Sequence, residues 1–268
     1  MILDVQFNSA TTPWPAMRDA VQAAEDAGFG VAWVVDHMAG QVMRGSSMME
    51  CFTLTGALAA STTTIGIGTL VANVWNRSLG TLAVAAATAQ EISGGRFWLG
   101  IGAGASPSSP FGAEHAAVGI PLAPTMAERH QRVCDFLALA REMWTDGVVD
   151  GVTGFPLPVA PIPILVGVNS VALARIAALE TDGINIRANH PRLDEIIDAA
   201  LEARPAHLPP LLVTTWDVYS EALLDPDSAV RRRYDALGID RLMVVQFGSA
   251  DVSALRAGRP RTPGSRSA

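Results

Sequence analysis

The sequence places few side chains where they could do chemistry, and His37 is the sharpest of them. Asp36-His37 closes the apolar run Val31–Val35. An imidazole there could donate a proton or hydrogen-bond a reactive ring, because histidine titrates near neutrality. It could equally do no more than satisfy loop carbonyls. Asp36 could orient that imidazole or cap the loop. Asn73 follows the run Ile65–Val71 and Ala72; its amide could face a flat heterocycle, or close the loop as an Asx turn. Gly102-Ala103-Gly104 follows Phe97–Ile101 and could let a ligand approach the backbone, although its spacing is not that of a dinucleotide fingerprint. Gly167-Val168-Asn169-Ser170 joins a short apolar run to a helical pattern. Free N–H groups and the helix dipole there would suit a phosphate; an Asn/Ser N-cap without a ligand is the other reading.

Other reactive types are poorly placed. Glu114 and His115 fall in a long Gly/Pro/Ser loop, where they could line a pocket, although His and Glu in loops are usually solvated, and Glu128-Arg129 reads as a helix start. His130, His190 and His207 lack the spacing to carboxylates or one another that a metal would ask for. Cys51 and Cys134 lie far apart in helical patterns and read as two buried thiols. All 19 basic residues are arginine, which removes lysine Schiff-base chemistry. A formal net charge of −7, with no basic run longer than Arg231-Arg232-Arg233, argues against a nucleic-acid partner. The most apolar stretch, Ile65–Trp75, is 11 residues long and too short to span a bilayer. No basic, then apolar, leader pattern opens the sequence, so the expected location is the cytoplasm.

What must position these residues is an alternation of short strand-like and longer helical patterns. Ile2–Phe7, Val31–Val35, Ile65–Val71, Phe97–Ile101, Ile164–Val166, Gly183–Ile186, Leu211–Thr214 and Leu242–Phe247 read as strands. Helical patterns follow them at Trp14–Ala27, Glu50–Ser61, Leu79–Glu91, Thr125–Trp144, Ser170–Glu180, Leu193–Ala203 and Ser228–Leu237, with a short turn at Val252–Arg256. Eight βα pairs in order imply an α/β fold, a closed (β/α)8 TIM barrel in a single domain over residues 1–257. The Arg/Pro/Gly/Ser-rich stretch 258–268 is expected to be a disordered tail. In such a barrel the reactive groups gather where strands end, which is where Asp36, His37, Asn73, Gly102, Gly104 and Gly167–Ser170 fall. That mouth reads as polar with few charges.

Several blocks resemble the luciferase-like flavin and deazaflavin oxidoreductases. Glu25-Asp26-Ala27-Gly28-Phe29 with Trp33-Val34-Val35-Asp36-His37 is similar to the family's opening, as is Glu50-Cys51-Phe52-Thr53-Leu54 leading to Ile67-Gly68-Thr69-Leu70-Val71. The most specific block runs from Ala86 through Gln90-Glu91-Ile92-Ser93-Gly94-Gly95-Arg96-Phe97 to Gly102-Ala103-Gly104. Pro163-Ile164-Leu165-Val166-Gly167-Val168-Asn169-Ser170 looks like the family's phosphate-binding junction. The likeness is dense over residues 1–190 and thin afterwards.

The resemblance implies a cofactor, coenzyme F-420 or alternatively FMN; Asp-His after the second strand and Glu-Cys-aromatic-Thr after it look more like the F-420 branch. It places His37 near the reactive carbon of the deazaflavin, Asn73 at the ring's polar edge, and a bulge at Val71 and Ala72 against the ring's face. Gly102 and Gly104 would line the cofactor, and Gly167, Val168, Asn169 and Ser170 would meet the phosphate. The implied reaction is hydride transfer between reduced deazaflavin and a small organic substrate. The implied partners are that substrate and a second copy of the chain. The chain departs from the family's pattern at Asn76-Arg77-Ser78, at Ala105 and at Val168, where relatives carry a second glycine. A β-branched residue does not readily take positive φ, so a reshaped anion site is expected there. The second half also reads as shortened after residue 145. An FMN-dependent monooxygenase and a shortened, non-catalytic flavin-binding relative are the alternatives.

Overall fold

The computed structural model describes residues 1–251. The expected turn at Val252–Arg256 and the tail at 258–268 lie outside the described residues. Strands β1 (Ile2–Phe7), β2 (Val31–Val34), β3 (Gly66–Asn73), β4 (Phe97–Gly102), β7 (Ile164–Gly167), β8 (Gly183–Arg187), β9 (Leu212–Val218) and β10 (Arg241–Gln246) close into one barrel. Each pairs in parallel with its neighbours, in the ring order β1-β2-β3-β4-β7-β8-β9-β10. Helices α1 (Trp14–Asp26), α2 (Cys51–Ala60), α3 (Leu79–Ile92), α5 (Met126–Asp146), α6 (Val171–Glu180), α7 (Leu193–Ala203) and α9 (Ala229–Ala236) alternate with them. The expected (β/α)8 architecture is what the chain adopts.

The helix starts follow from side chains that catch the otherwise unpaired first-turn N–H groups. Glu50 accepts from Phe52 and Thr53 ahead of α2, and Ser78 accepts from Thr81 ahead of α3. Thr125 and Glu128 form a reciprocal capping box ahead of α5. Glu128 is therefore a cap, with no part in the mouth.

Five elements differ from the sequence reading. Strand β9 runs on through Thr215-Trp216-Asp217-Val218, because Trp216 turns inward against the barrel's interior cluster of Val31, Trp33, Leu70, Leu165 and Met243. A hairpin, β5 (Val148–Val149) and β6 (Val152–Thr153), links α5 to β7. Its turn residues Asp150 and Gly151 take φ of 49° and 77°, as a primed two-residue turn requires. Short helices α4 (Ala113–Ala117) and α8 (Glu221–Leu224) occupy two stretches read as loop. Cys51 is buried as expected, whereas Cys134 is only half-buried.

The barrel floor is stability machinery. Asp4, on β1, is fully buried and takes a two-pronged bond from Arg241 on β10, at 2.9 and 2.6 Å. Trp33 Nε1 and the Val31 amide also donate to it. Arg241 lies 4.8 Å over the Trp98 ring, which meets Trp33 edge-on. A plug of this kind leaves the opposite, C-terminal end of the strands to carry chemistry.

Candidate active site

At that end β3 is irregular. Its register against β4 slips between Thr69 and Ala72, and the Leu70–Val71 peptide is cis. The Leu70 carbonyl accepts from Gln6 Nε2 at 2.9 Å, which ties the bulge to β1. Val71 then projects into the mouth beside β4 and β7. A Cβ at Gly102 would lie 2.5 Å from Val71 Cγ2, and one at Gly167 2.9 Å from Val71 Cγ1. These two positions are glycine to make room for Val71, where the sequence had suggested room for a ligand. Gly104, at φ +82°, likewise clears Trp75 Cδ1, which its Cβ would meet at 2.6 Å. Ala72 corrects an expectation: it is wholly buried opposite Ile101 and does not reach the mouth.

His37 and Asp36 part company. Asp36 does not orient His37; its carboxylate takes Arg77 at 2.8 Å on both oxygens and accepts the Asn73 N–H at 2.8 Å. Arg77 also bridges on to Glu50 and stacks over Phe52. Asp36 thus fixes the ends of β2 and β3 and the start of α3. The partner of His37 is Glu114, 77 residues away, whose Oε1 lies 2.7 Å from Nδ1. Glu114 Oε2 accepts the amides of Met38 and Ala39, both at 2.9 Å. Burial pushes the Glu114 carboxyl up, but the bonds from His37, Ala39 and Met38 together hold it below the usual carboxylate range. An ionised Glu114 asks for a proton on Nδ1, so Nε2 is the His37 atom left for a reactant. Phe111 covers one face of the ring at 5.6 Å between centroids.

His115 is also buried and was misread as a loop residue. Its Nδ1 lies 3.1 Å from the Phe111 carbonyl, and its Nε2 faces Asn73 Nδ2 at 2.8 Å and Asn76 Oδ1 at 2.7 Å. Asn73 Oδ1 accepts from the Trp75 amide. Much of the Asn73 amide is therefore committed within the protein, and one N–H remains to meet a ligand.

At the β7–α6 junction the four residues take different places. Val168 is buried, is not in the left-handed region, and gives its N–H to the Asn185 carbonyl at 2.8 Å. It therefore packs the junction and holds no N–H for a phosphate. Ser170 accepts the Leu173 amide as the cap of α6, while Asn169 lines the mouth. The same cavity is lined by Arg187 and His190, which the sequence already puts on one loop after a strand, and by Arg129 and His130, which it does not bring to the mouth. Burial, with Arg129 beside it, pushes His130 down from the ordinary histidine value and favours its neutral form. The mouth encloses a cavity of about 1140 Å³. The one carboxylate lining it, Asp36, is already neutralised by Arg77. The mouth is thus cationic in a chain of net charge −7.

Among the described residues no group of His, Cys, Asp and Glu is arranged to hold a metal ion, and no helix is long and apolar enough to cross a membrane. A 5,10-methylenetetrahydromethanopterin reductase from Archaeoglobus fulgidus is 30% identical over 191 residues, covering 68% of this chain and 52% of the relative. An F-420-dependent glucose-6-phosphate dehydrogenase from Nakamurella multipartita is 30% identical over 178 residues, covering 62% and 50%. The chain spans about half the length of the curated relatives it matches. An F-420-dependent secondary alcohol dehydrogenase, solved with an F-420–acetone adduct, shares the fold at a TM-score of 0.77 and 16% identity, over 96% of this chain and 97% of that one. Residues 3–206 match the model of the luciferase-like monooxygenases, and the chain belongs to that family.

Proposed function

We propose that the protein is an F-420-dependent oxidoreductase that passes hydride between a reduced deazaflavin and a small organic substrate. The observation that carries this reading is the Glu114–His37 pair, which leaves Nε2 free for a reactant in a cavity whose one lining carboxylate, Asp36, is committed to Arg77. The names of the two curated relatives and of the solved alcohol dehydrogenase support the same cofactor class.

The residues present fit such a group. Val71 offers an apolar surface flanked by the bare backbone of Gly102 and Gly167. Asn73 offers a polar edge, and Asn169 with the arginines above it suits a phosphoryl group. When bound, the reduced cofactor supplies the hydride. The protein does the rest: Glu114 orients His37, the imidazolium form of His37 gives its Nε2 proton to the substrate atom that gains negative character and is left as the neutral ring with Nδ1–H on Glu114, and Phe111 covers one imidazole face. Asp36 and Arg77 act at one remove by fixing the strand ends.

Anaerobic titration with oxidised F-420 and, separately, with FMN tests this reading through the cofactor absorbance bands. Saturable F-420 binding at micromolar concentrations, with FMN binding weaker, is expected. Tight FMN binding without F-420 binding favours the monooxygenase reading, and binding of neither favours a non-catalytic barrel.

A further inference from the structure

Three arginines line the mouth. Arg187 ends β8, the neighbour of β7, and Arg129 begins α5, which lies between β4 and β7 in the chain. Both belong to elements that flank the β7–α6 junction suited to the cofactor's phosphoryl group. Arg44 stands apart. It follows β2, four strands from β8 in a ring of eight, on the same loop as His37. None of the ion pairs among the described residues involves Arg44.

Arg44 is exposed at the mouth, and what is fixed is the backbone that carries it. Arg44 has φ of 60°, a left-handed conformation that non-glycine residues seldom adopt. The turn around it is closed by bonds from the Arg44 amide to the Gln41 carbonyl and from the Gly45 amide to the Gly40 carbonyl. Gly45 packs so closely on the Ala10 carbonyl that a Cβ would lie 2.1 Å from it. Asn8 then staples three rims together, its Nδ2 donating to Met43 O at 2.9 Å and to Phe247 O at 2.7 Å. Beside Arg44 the cavity wall is apolar: Val42, Met43 and Phe247.

We infer that Arg44 is the anchor of a substrate-anion site, and that the substrate is an organic anion with an apolar body. A guanidinium on a fixed turn takes a carboxylate or phosphoryl group in a two-pronged bond. Val42, Met43 and Phe247 take the apolar part, and the reacting carbon comes to lie toward His37. The inference rests on the reading that the β7–β8 side holds the cofactor.

The test uses hexanoate as the anionic probe and hexan-1-ol as its neutral counterpart, titrated into protein saturated with oxidised F-420. Arg44→Gln is expected to weaken hexanoate binding by about tenfold or more, with hexan-1-ol and F-420 affinities changed by less than about twofold. Arg187→Gln is expected to do the reverse, weakening F-420 and sparing hexanoate. Hexanoate binding no tighter than hexan-1-ol in the unaltered protein, or unaffected by Arg44→Gln, overturns the site. So does a loss of F-420 affinity in Arg44→Gln equal to that in Arg187→Gln. If F-420 itself does not bind, the titration is repeated by calorimetry without it. Arg44-dependent hexanoate binding then upholds the anion site while the cofactor reading fails; Arg44-independent binding, or none, overturns the site too.

Discussion

Glu114 Oε1 lies 2.7 Å from His37 Nδ1, and the same carboxylate accepts two amides of the loop that carries His37. One buried side chain therefore sets both the ring's orientation and the shape of its loop. His37→Ala is expected to lower kcat on the order of 10²-fold with the fold intact by circular dichroism. Glu114→Gln keeps the size but can no longer accept on both sides, and should lower kcat about tenfold with KM little changed. A change confined to KM would assign the pair to binding alone.

Asp36 belongs to the frame. Its carboxylate and the Arg77 guanidinium are both largely removed from water, and Asp36→Ala leaves that cation without its partner. A loss of about 3 kcal/mol in urea unfolding is expected, larger than that for His37→Ala. A variant as stable as the parent would show that Arg77 finds Glu50 or solvent instead.

Val168→Gly provides a contrast. The Val168 N–H is committed to Asn185 and its backbone is not left-handed. Glycine there should not tighten cofactor binding, and should cost about 2–3 kcal/mol of stability through lost packing and added chain freedom. Tighter F-420 binding by the variant would return this position to the anion site.

Glu25 gives the fold a pH dependence far from the mouth. It is half-buried. What burial it has pushes its carboxyl up, but the amides of Thr64, Ile65 and Thr63 and the Thr64 hydroxyl outweigh that and pull it from 4.5 down to about 2. A carboxyl held below its unfolded value contributes stability above pH 4.5 that is lost as pH falls toward 2. Melting curves should therefore drop more steeply over that window in the parent than in Glu25→Gln. Parallel curves would mean the cluster of bonds does not persist in solution.

The barrel was legible in the sequence because its strands and helices are local patterns: β1 begins and ends where the apolar run does. The end of β9 was not, because Thr214, Thr215 and Asp217 hide an alternation whose inward partner, Trp216, packs on strands far away in sequence. The Asp150-Gly151 turn is legible in the sequence, since Asp-Gly between the β-branched pairs Val148-Val149 and Val152-Thr153 is a hairpin signal. His37 stood out from its place after a strand. Glu114 could not, because no spacing rule joins residues 77 apart, and a carboxylate in a Gly/Pro/Ser loop reads as solvated until the loop folds back. The same holds for Asp36 with Arg77, although the unusual Asn76-Arg77-Ser78 marked the place without naming the partner.

The central claim is most directly tested by a crystal structure of the protein soaked with oxidised F-420. The account predicts ring density in the barrel mouth, against Val71 and within reach of His37 Nε2, with the phosphoryl group by Asn169 and Arg187. An unoccupied mouth at saturating F-420, or a ring bound with His37 turned away and still paired to nothing but Glu114, would contradict it.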